Sequence, residues 1–185
     1  MALTKVQADG VNLGDTFAFT GTVSGVGGLV LLSTTTVTDA VGSISFDNLS
    51  TTYDTFYVDY SLHPATDNVN ARVNFLNSSG TAVTSSNYAQ TAVLMDNMTY
   101  VGSNTATQIQ MNHTNMGNAA LEGISGYFYL RNRNYDNSVS DQFVTNLIGA
   151  SNSVNTSGGE NHNWYAGYLN NNTEVRGFRI TFSSG

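Results

Sequence analysis

The chain has no cysteine and a single proline, and charged residues make up only 10% of its 185 residues. Without cysteine, neither disulfides nor thiolate metal sites can stabilise the fold. Average globular chains carry roughly 25% charged residues, so solubility here must depend on Asn, Thr, Ser and Gly. We therefore expect stability to come from a packed core and from contacts with other chains.

The charges that are present exclude two classes of partner. Six Lys and Arg against 13 Asp and Glu give a net charge of −7. The basic residues are dispersed, and the two that lie closest together in sequence are Arg131 and Arg133. Such a chain lacks the basic surface that binds a phosphate backbone or an anionic membrane. We expect no nucleic-acid partner and no membrane partner.

Long apolar runs are also missing. The candidate GGLVLLSTTTV, residues 27–37, is shorter than the roughly 18 residues of a membrane-spanning helix and is rich in threonine, so we predict a strand there. The N-terminal sequence MALTKVQADGVNLGD has no apolar segment of the kind found in secretory signals. We expect neither membrane insertion nor export by the general secretory pathway.

Short runs that alternate between apolar and polar residues fill much of the chain. Val, Ile, Thr, Tyr and Phe recur at a period of two, which is typical of strands that bury one face, and helical spacing is nearly absent. Phe56, Val58, Tyr60 and Leu62, for example, share one face that we predict to be buried. The predicted strands are residues 43–46, 55–62, 71–76, 89–95, 107–113, 126–132, 142–150, 164–169 and 175–182.

Clusters of Asn, Gly, Ser and Asp separate these runs, among them NSSG, DNMTYVGSNT, NTSGGENHN and NNNTE. Asn and Gly tolerate positive φ, and Asx side chains bond to their own backbone, so these clusters favour turns. Many strands with turns at this spacing predict an all-β fold, an antiparallel β-sandwich of jelly-roll type. No segment of 20 to 50 residues repeats, which argues against a solenoid or a propeller.

The N-terminal residues differ from the rest of the chain. Residues 1–28 alternate weakly, are interrupted by glycine and offer too little apolar area to fold alone. Such a segment stays without fixed structure or is ordered by adding a strand to another chain. We predict an N-terminal attachment arm at residues 1–28 and a β-sandwich domain at residues 29–185.

The sequence HPATDNVN, which starts at His63, allows two interpretations. His63, Asp67, Asn68 and Asn70 are candidate ligands for a calcium ion, but the regular acidic positions and terminal Glu of known calcium loops are missing. The favoured interpretation is a connection between two strands. In it Pro64 ends the first strand by removing a backbone donor, and Asp67 and Asn68 form the turn.

Catalytic and metal sites are weakly supported. His63, His113 and His162 are far apart in sequence and none has the spacing of a zinc motif, so a shared metal site is disfavoured. No nucleophile elbow is present. Paired carboxylates for glycoside hydrolysis could come only from scattered acids that also suit turns and solvated faces, namely Asp59, Asp96, Glu122, Asp141, Glu160 and Glu174. We expect no enzyme activity, no metal and no cofactor.

The aromatic residues are more informative. In GYFYLRN, Tyr127 and Tyr129 lie on the face opposite Phe128 and Leu130. Flat rings beside amides suit a sugar, because the ring covers the apolar side of a pyranose and the amides bond its hydroxyls. Aromatic residues also suit the interface between two chains.

The sequence ENHNWYAGYLNNN supplies the candidate glycan site. Trp164, Tyr165 and Tyr168 lie between what we predict to be amide-rich loops, with Asn161 and Asn163 beside them. These five residues form the candidate binding set. An interface between chains, or a place in the core, is the favoured interpretation of the same aromatic residues, and a glycan site is the alternative.

Three segments carry a resemblance to a known group of proteins: MALTKVQADGVNLGDTFAFTGTVSG, GSISFDNLSTTYDTFYVDY and HPATDNVNARVNFLNSSGT. Together they resemble structural proteins of tailed bacteriophages, especially marine ones, in which a short arm precedes a β-sandwich. The resemblance covers the first 80 residues and, less closely, SGYFYLRN at 125–132. The matching positions are Tyr53, Asp54, Tyr57, His63, Pro64, Ala65, Thr66, Asp67, Asn68, Val69, Asn70, Val73, Phe75, Ser79 and Gly80.

This resemblance implies a non-enzymatic virion protein, assembled in the host cytoplasm and exposed on the particle as a head decoration, capsid fibre or tail-fibre-like protein. The implied partners are two further copies of the chain in a homotrimer, other virion proteins contacted through the arm, and glycans of the host surface. The chain lacks a long shaft or enzymatic head, which favours a decorating module. The alternative is a carbohydrate-binding β-sandwich module that uses an aromatic, Asn-rich loop.

Overall fold

The computed structural model describes residues 29–50, 52–131, 145–170 and 173–184. The predicted arm at residues 1–28 therefore lies outside the described residues, as do the first three residues of the strand predicted at 142–150. Within the described part of the chain, no helix is long and apolar enough to cross a membrane.

The described residues form ten strands, all within the compact unit Val37–Gly185. Every pair of neighbouring strands is antiparallel. The strands are β1 (Ile44–Phe46), β2 (Thr55–Leu62), β3 (Ala71–Asn77), β4 (Tyr88–Leu94), β5 (Thr99–Ala106), β6 (Ile109–Gln110), β7 (Gly123–Arg131), β8 (Asn146–Val154), β9 (Glu160–Leu169) and β10 (Val175–Phe182).

Two sheets make up the fold. The four-stranded sheet has the order β1-β10-β3-β6, and the six-stranded sheet has the order β2-β7-β8-β9-β4-β5. When β7 and β8 are set aside, the remaining strands lie in the orders β1-β10-β3-β6 and β2-β9-β4-β5, the arrangement of a jelly roll. The predicted all-β fold, an antiparallel β-sandwich of jelly-roll type, is confirmed.

Most strand predictions are confirmed, and three strands differ from the prediction. β5 occupies part of the predicted turn DNMTYVGSNT; none of its residues is buried, so it carries no apolar alternation to detect. The strand predicted at 107–113 contracts to the two residues of β6. β9 begins at Glu160, so the last part of the predicted turn NTSGGENHN is strand.

The strand predicted at residues 27–37 is wrong for the described residues 29–37, which form none. Leu29 and Leu31 are more than 80% exposed, and Val30 and Leu32 are exposed as well. High β-propensity alone does not make a strand, because a strand needs a partner to satisfy its backbone groups.

The core lies between the inner faces of the two sheets. Phe128 of the large sheet meets Phe178 of the small sheet edge to face, with ring centroids 5.3 Å apart. The alternation predicted for β2 is confirmed, because Phe56 and Tyr60 are buried and the residues between them face solvent or are half-buried. Tyr88 also joins the sheets, since its ring lies 5.6 Å from that of Phe75.

Two glycines on the inner face of the large sheet make room for a pair of tyrosines. The hydroxyls of Tyr60 and Tyr165 are 3.0 Å apart and buried. A Cβ atom at Gly126 would lie 2.7 Å from the Tyr60 hydroxyl, and one at Gly149 would lie 2.7 Å from the Tyr165 hydroxyl. Burial raises the pKa of both tyrosines, so the pair stays uncharged beneath the outer surface of the sheet.

Candidate functional site

The face of the six-stranded sheet that points away from the core, hereafter the outer face, is rich in exposed aromatic rings. Side chains alternate along a strand, so each strand that buries one set of residues presents the other set here. At least 37% of each aromatic residue on this face is exposed. The set comprises Tyr57, Tyr100, Tyr127, Tyr129, Trp164 and Tyr168.

Three of these rings form a cluster at the β2–β7 end of the outer face. Tyr57 pairs with Tyr129 across the two strands, and Tyr127 is two residues from Tyr129 on the same face. The three ring centroids lie 5.2 to 6.0 Å from one another. Contacts at these separations are typical of favourable aromatic pairs, so the cluster is a preformed surface.

Trp164 lies two strands from the tyrosine cluster. Its register partner on β8 is Ala150, and Ala150 in turn pairs with Tyr127 on β7. Two strand spacings separate the backbones of Tyr127 and Trp164 by about 10 Å. Ala150, with its small side chain, therefore lies between two aromatic residues on the outer face.

The five residues of the predicted glycan site do not form one surface. The strand predicted at 164–169 is confirmed but begins earlier, because residues 160–163 of the predicted amide-rich loop also belong to β9, whose residues alternate between the two faces. Trp164, 58% exposed, and Tyr168 lie on the outer face. Tyr165, Asn161 and Asn163 point the other way and are at most 5% exposed, so they cannot contact a ligand bound to Trp164.

Tyr165, Asn161 and Asn163 lie in the protein interior. Tyr165 bonds to Tyr60, as described above, and the Asn161 amide nitrogen donates to the Gly159 carbonyl at 3.3 Å. The Asn163 amide has no hydrogen-bond partner among the described residues. For Tyr165 the favoured prediction, a place in the core, is confirmed.

Sequence reasoning missed Tyr57 and Tyr100 as parts of this surface. The period-two spacing of Tyr127 and Tyr129 was a visible signal, and Tyr57 shares the exposed face of β2. Nothing in the sequence, however, indicates that β2 pairs with β7. The pairing brings together strands that are distant in the chain.

A polar row crosses the sheet beside the aromatic residues. By register, Ser61 pairs with Ser125, Ser125 with Asn152, and Asn152 with His162. The row lines an open cleft of about 460 Å³. It lies next to the row of Tyr127, Ala150 and Trp164, about 7 Å away along each strand.

Two of the three histidines meet at this cleft. His63 and His162 both line it. His113 does not line it, and partial burial lowers the pKa of that residue. Among the described residues, no three His, Asp or Glu side chains converge as a metal ion would require.

The six acids considered for glycoside hydrolysis are scattered, except that two of them lie at the cleft. Glu122 and Glu160 both line the cleft. The Glu122 carboxylate accepts the Ala119 N–H at 2.6 Å and so holds the loop that it belongs to. Asp96 accepts the His162 N–H at 3.1 Å, and Glu174 forms an ion pair with Arg176. Asp59 lies on the outer face. Asp141 lies outside the described residues.

The HPATDNVN segment connects β2 in the large sheet to β3 in the small sheet. Asp67 Oδ1 accepts the Asn118 N–H at 2.8 Å, and the Asn118 amide donates to the Ala65 carbonyl at 3.0 Å. Asn68 has a φ of 61°, which Asn tolerates better than most residues. The predicted strand connection with a turn at Asp67 and Asn68 is confirmed, and it crosses between sheets.

In comparisons with known proteins, no family model, curated protein or solved structure matches the chain.

Proposed function

We propose that this chain is a non-enzymatic surface protein of a tailed-phage particle, and that the outer face binds glycans of the host surface. The sandwich is displayed outward, and the arm at residues 1–28 attaches it to other virion proteins. The phage assignment is based on the resemblance of the first 80 residues to structural proteins of tailed bacteriophages.

The fold supports this proposal by analogy. Jelly rolls build many viral capsid proteins and many lectins. Folds host unrelated functions, so the analogy only makes the two roles reasonable ones to test. The support for glycan binding has to come from the site itself.

One observation supports glycan binding most strongly: six exposed aromatic rings share one sheet face. Rings on a rigid sheet offer contact area at low cost in conformational entropy, and they suit the apolar side of a sugar. The face combines them with exposed hydroxyl, amide and imidazole groups, as sugar hydroxyls require.

The proposed homotrimer is supported by the exposed apolar run from Leu29 to Leu32. This run adjoins the arm in sequence and supplies the apolar area that contacts between chains bury. Closed cyclic symmetry is the common solution for such assemblies.

Mass spectrometry of purified particles of the phage that encodes the chain tests the virion role. We expect the protein in stoichiometric amounts, with a copy number divisible by three. Its absence from purified particles would contradict the virion role and leave the alternative, a free carbohydrate-binding module. In a reducing-sugar assay we expect no release of sugar from any glycan that binds.

A further inference from the structure

The polar cleft at the end of the outer face and the aromatic row beside it have complementary chemistry. The aromatic row offers Tyr127 and Trp164 on either side of Ala150. The polar row offers groups that exchange hydrogen bonds with hydroxyls. A pyranose ring placed over Ala150 would have aromatic surface at its sides and polar groups at one edge.

The hydrogen bonds within the polar row leave several groups free to bind a ligand. His162 Nδ1 donates to Asn152 Oδ1 at 2.7 Å, and Nε2, which lies 3.9 Å from Glu160 Oε2, is an acceptor when the ring is neutral. The Asn152 amide nitrogen keeps its donors. Ser61 and Ser125 hydroxyls make no hydrogen bond with any described residue. The row therefore presents hydroxyls, an amide donor and an imidazole acceptor side by side.

The charge of the cleft selects among sugars. Its lining includes the carboxylates of Glu122 and Glu160, and none of its described lining residues is Lys or Arg. A sialic acid, uronic acid or sulfated sugar would bring a negative charge close to these carboxylates without a Lys or Arg to compensate it. A neutral sugar has no such penalty.

We infer that the cleft lined by Ser61, Ser125, Asn152 and His162, together with Tyr127 and Trp164, is a binding site for a neutral saccharide. This inference rests on the proposed function, because it assumes that the outer face binds glycans. It adds the position of the site, the class of sugar and the residues that select it.

The test uses the full-length protein and an array of immobilised oligosaccharides, half of them neutral and half carrying sialic acid or uronic acid. We expect binding to neutral glycans only. The variants Asn152→Ala and Trp164→Ala should each weaken that binding about tenfold or more, since each removes a contact worth about 1.4 kcal/mol or more. Thr91→Ala, which alters an exposed residue of the same face away from the cleft, should leave binding unchanged.

Two results would overturn the site while leaving the proposed function in place. One is binding to acidic glycans only; the other is neutral-glycan binding that Asn152→Ala does not weaken. Absence of binding to both halves of the array would overturn the site and the glycan-binding role together. If Asn152→Ala fails to fold, as judged by its melting curve, Asn152→Asp keeps the acceptor for His162 and removes the amide donor, and the same tenfold loss is expected.

Discussion

At the scale of single residues, Tyr88 shows how a polar group can join two sheets. Its hydroxyl accepts the Phe75 N–H at 2.8 Å and donates to the Val83 carbonyl at 3.0 Å. Burial raises the pKa of Tyr88 to about 12. The unfolded chain loses this proton near pH 10, whereas the folded chain keeps it up to about pH 12. The contribution of Tyr88 to the free energy of unfolding is therefore fully present below pH 10 and is lost as the pH rises through 12.

We predict that Tyr88→Phe lowers the free energy of unfolding at pH 8 by about 1–3 kcal/mol, because the Phe75 N–H loses its partner. At pH 11 the difference in free energy of unfolding between the variant and the parent should be about 1.4 kcal/mol smaller. The reason is that the parent has an ionisable tyrosine at position 88 and the variant does not. Urea unfolding at the two pH values measures both. Tyr100→Phe, at an exposed position, is the matched control. A difference that does not shrink at pH 11 would contradict the assigned burial.

The glycines beneath the outer face supply a second prediction at this scale. Gly149→Ala should lower the free energy of unfolding by about 3 kcal/mol, because the new methyl would overlap the Tyr127 carbonyl oxygen and the Tyr165 hydroxyl in a packed interior. Gly42→Ala is the control, since nothing lies within 4 Å of its added Cβ. Equal urea midpoints for the two variants would contradict the close packing around Gly149.

At the scale of elements, period-two alternation predicted most strands but could not give the surroundings of each side chain. β9 is the clearest case. Its amides and aromatic residues suggested loops around a site, yet Asn161 and Asn163 are core residues of a strand and only the intervening positions face outward. Because a strand has two faces, grouping neighbours in sequence mixes residues that point in opposite directions.

The connection between β2 and β3 gives the prediction for loops. Asp67→Ala should lower the free energy of unfolding by about 0.5–2 kcal/mol, because the Asn118 N–H loses its acceptor. Asp39→Ala removes an exposed carboxylate bonded only to its neighbour Thr38 among the described residues, and it should have little effect. Thermal melting measures both, and a chelator should leave the parent's melting temperature unchanged. A fall of many degrees with chelator would revive the calcium interpretation.

At the scale of the whole molecule, composition and alternation predicted an antiparallel sandwich, but the strand order could not be read from the sequence. Order depends on pairings between distant segments, such as β1 with β10 and β2 with β7. No local pattern marks those partners. The outer aromatic surface is a product of the order, because it brings Tyr57, Tyr127 and Trp164 onto the same face of one sheet.

The proposed assembly also belongs to this scale. Light scattering on the full-length protein at micromolar concentration should report the mass of three 19.8 kDa chains. Deletion of residues 1–26 should leave a folded sandwich, since all strands of the described residues lie within Val37–Gly185, but one that no longer joins the particle. A monomeric full-length protein would contradict the trimer. Undiminished incorporation of the truncated chain into particles would contradict the role of the arm.

Glycan binding by the outer face requires that this face is free to bind a ligand in the assembled protein. Trp164 is the only tryptophan of the chain and is 58% exposed on that face, so its fluorescence reports on this surface alone. Acrylamide quenching of the full-length assembly should be efficient, and a neutral saccharide that binds should protect Trp164 from the quencher. A blue-shifted emission that resists acrylamide in the assembly, and becomes quenchable only when the chains dissociate, would show that the outer face joins copies of the chain and would contradict the account.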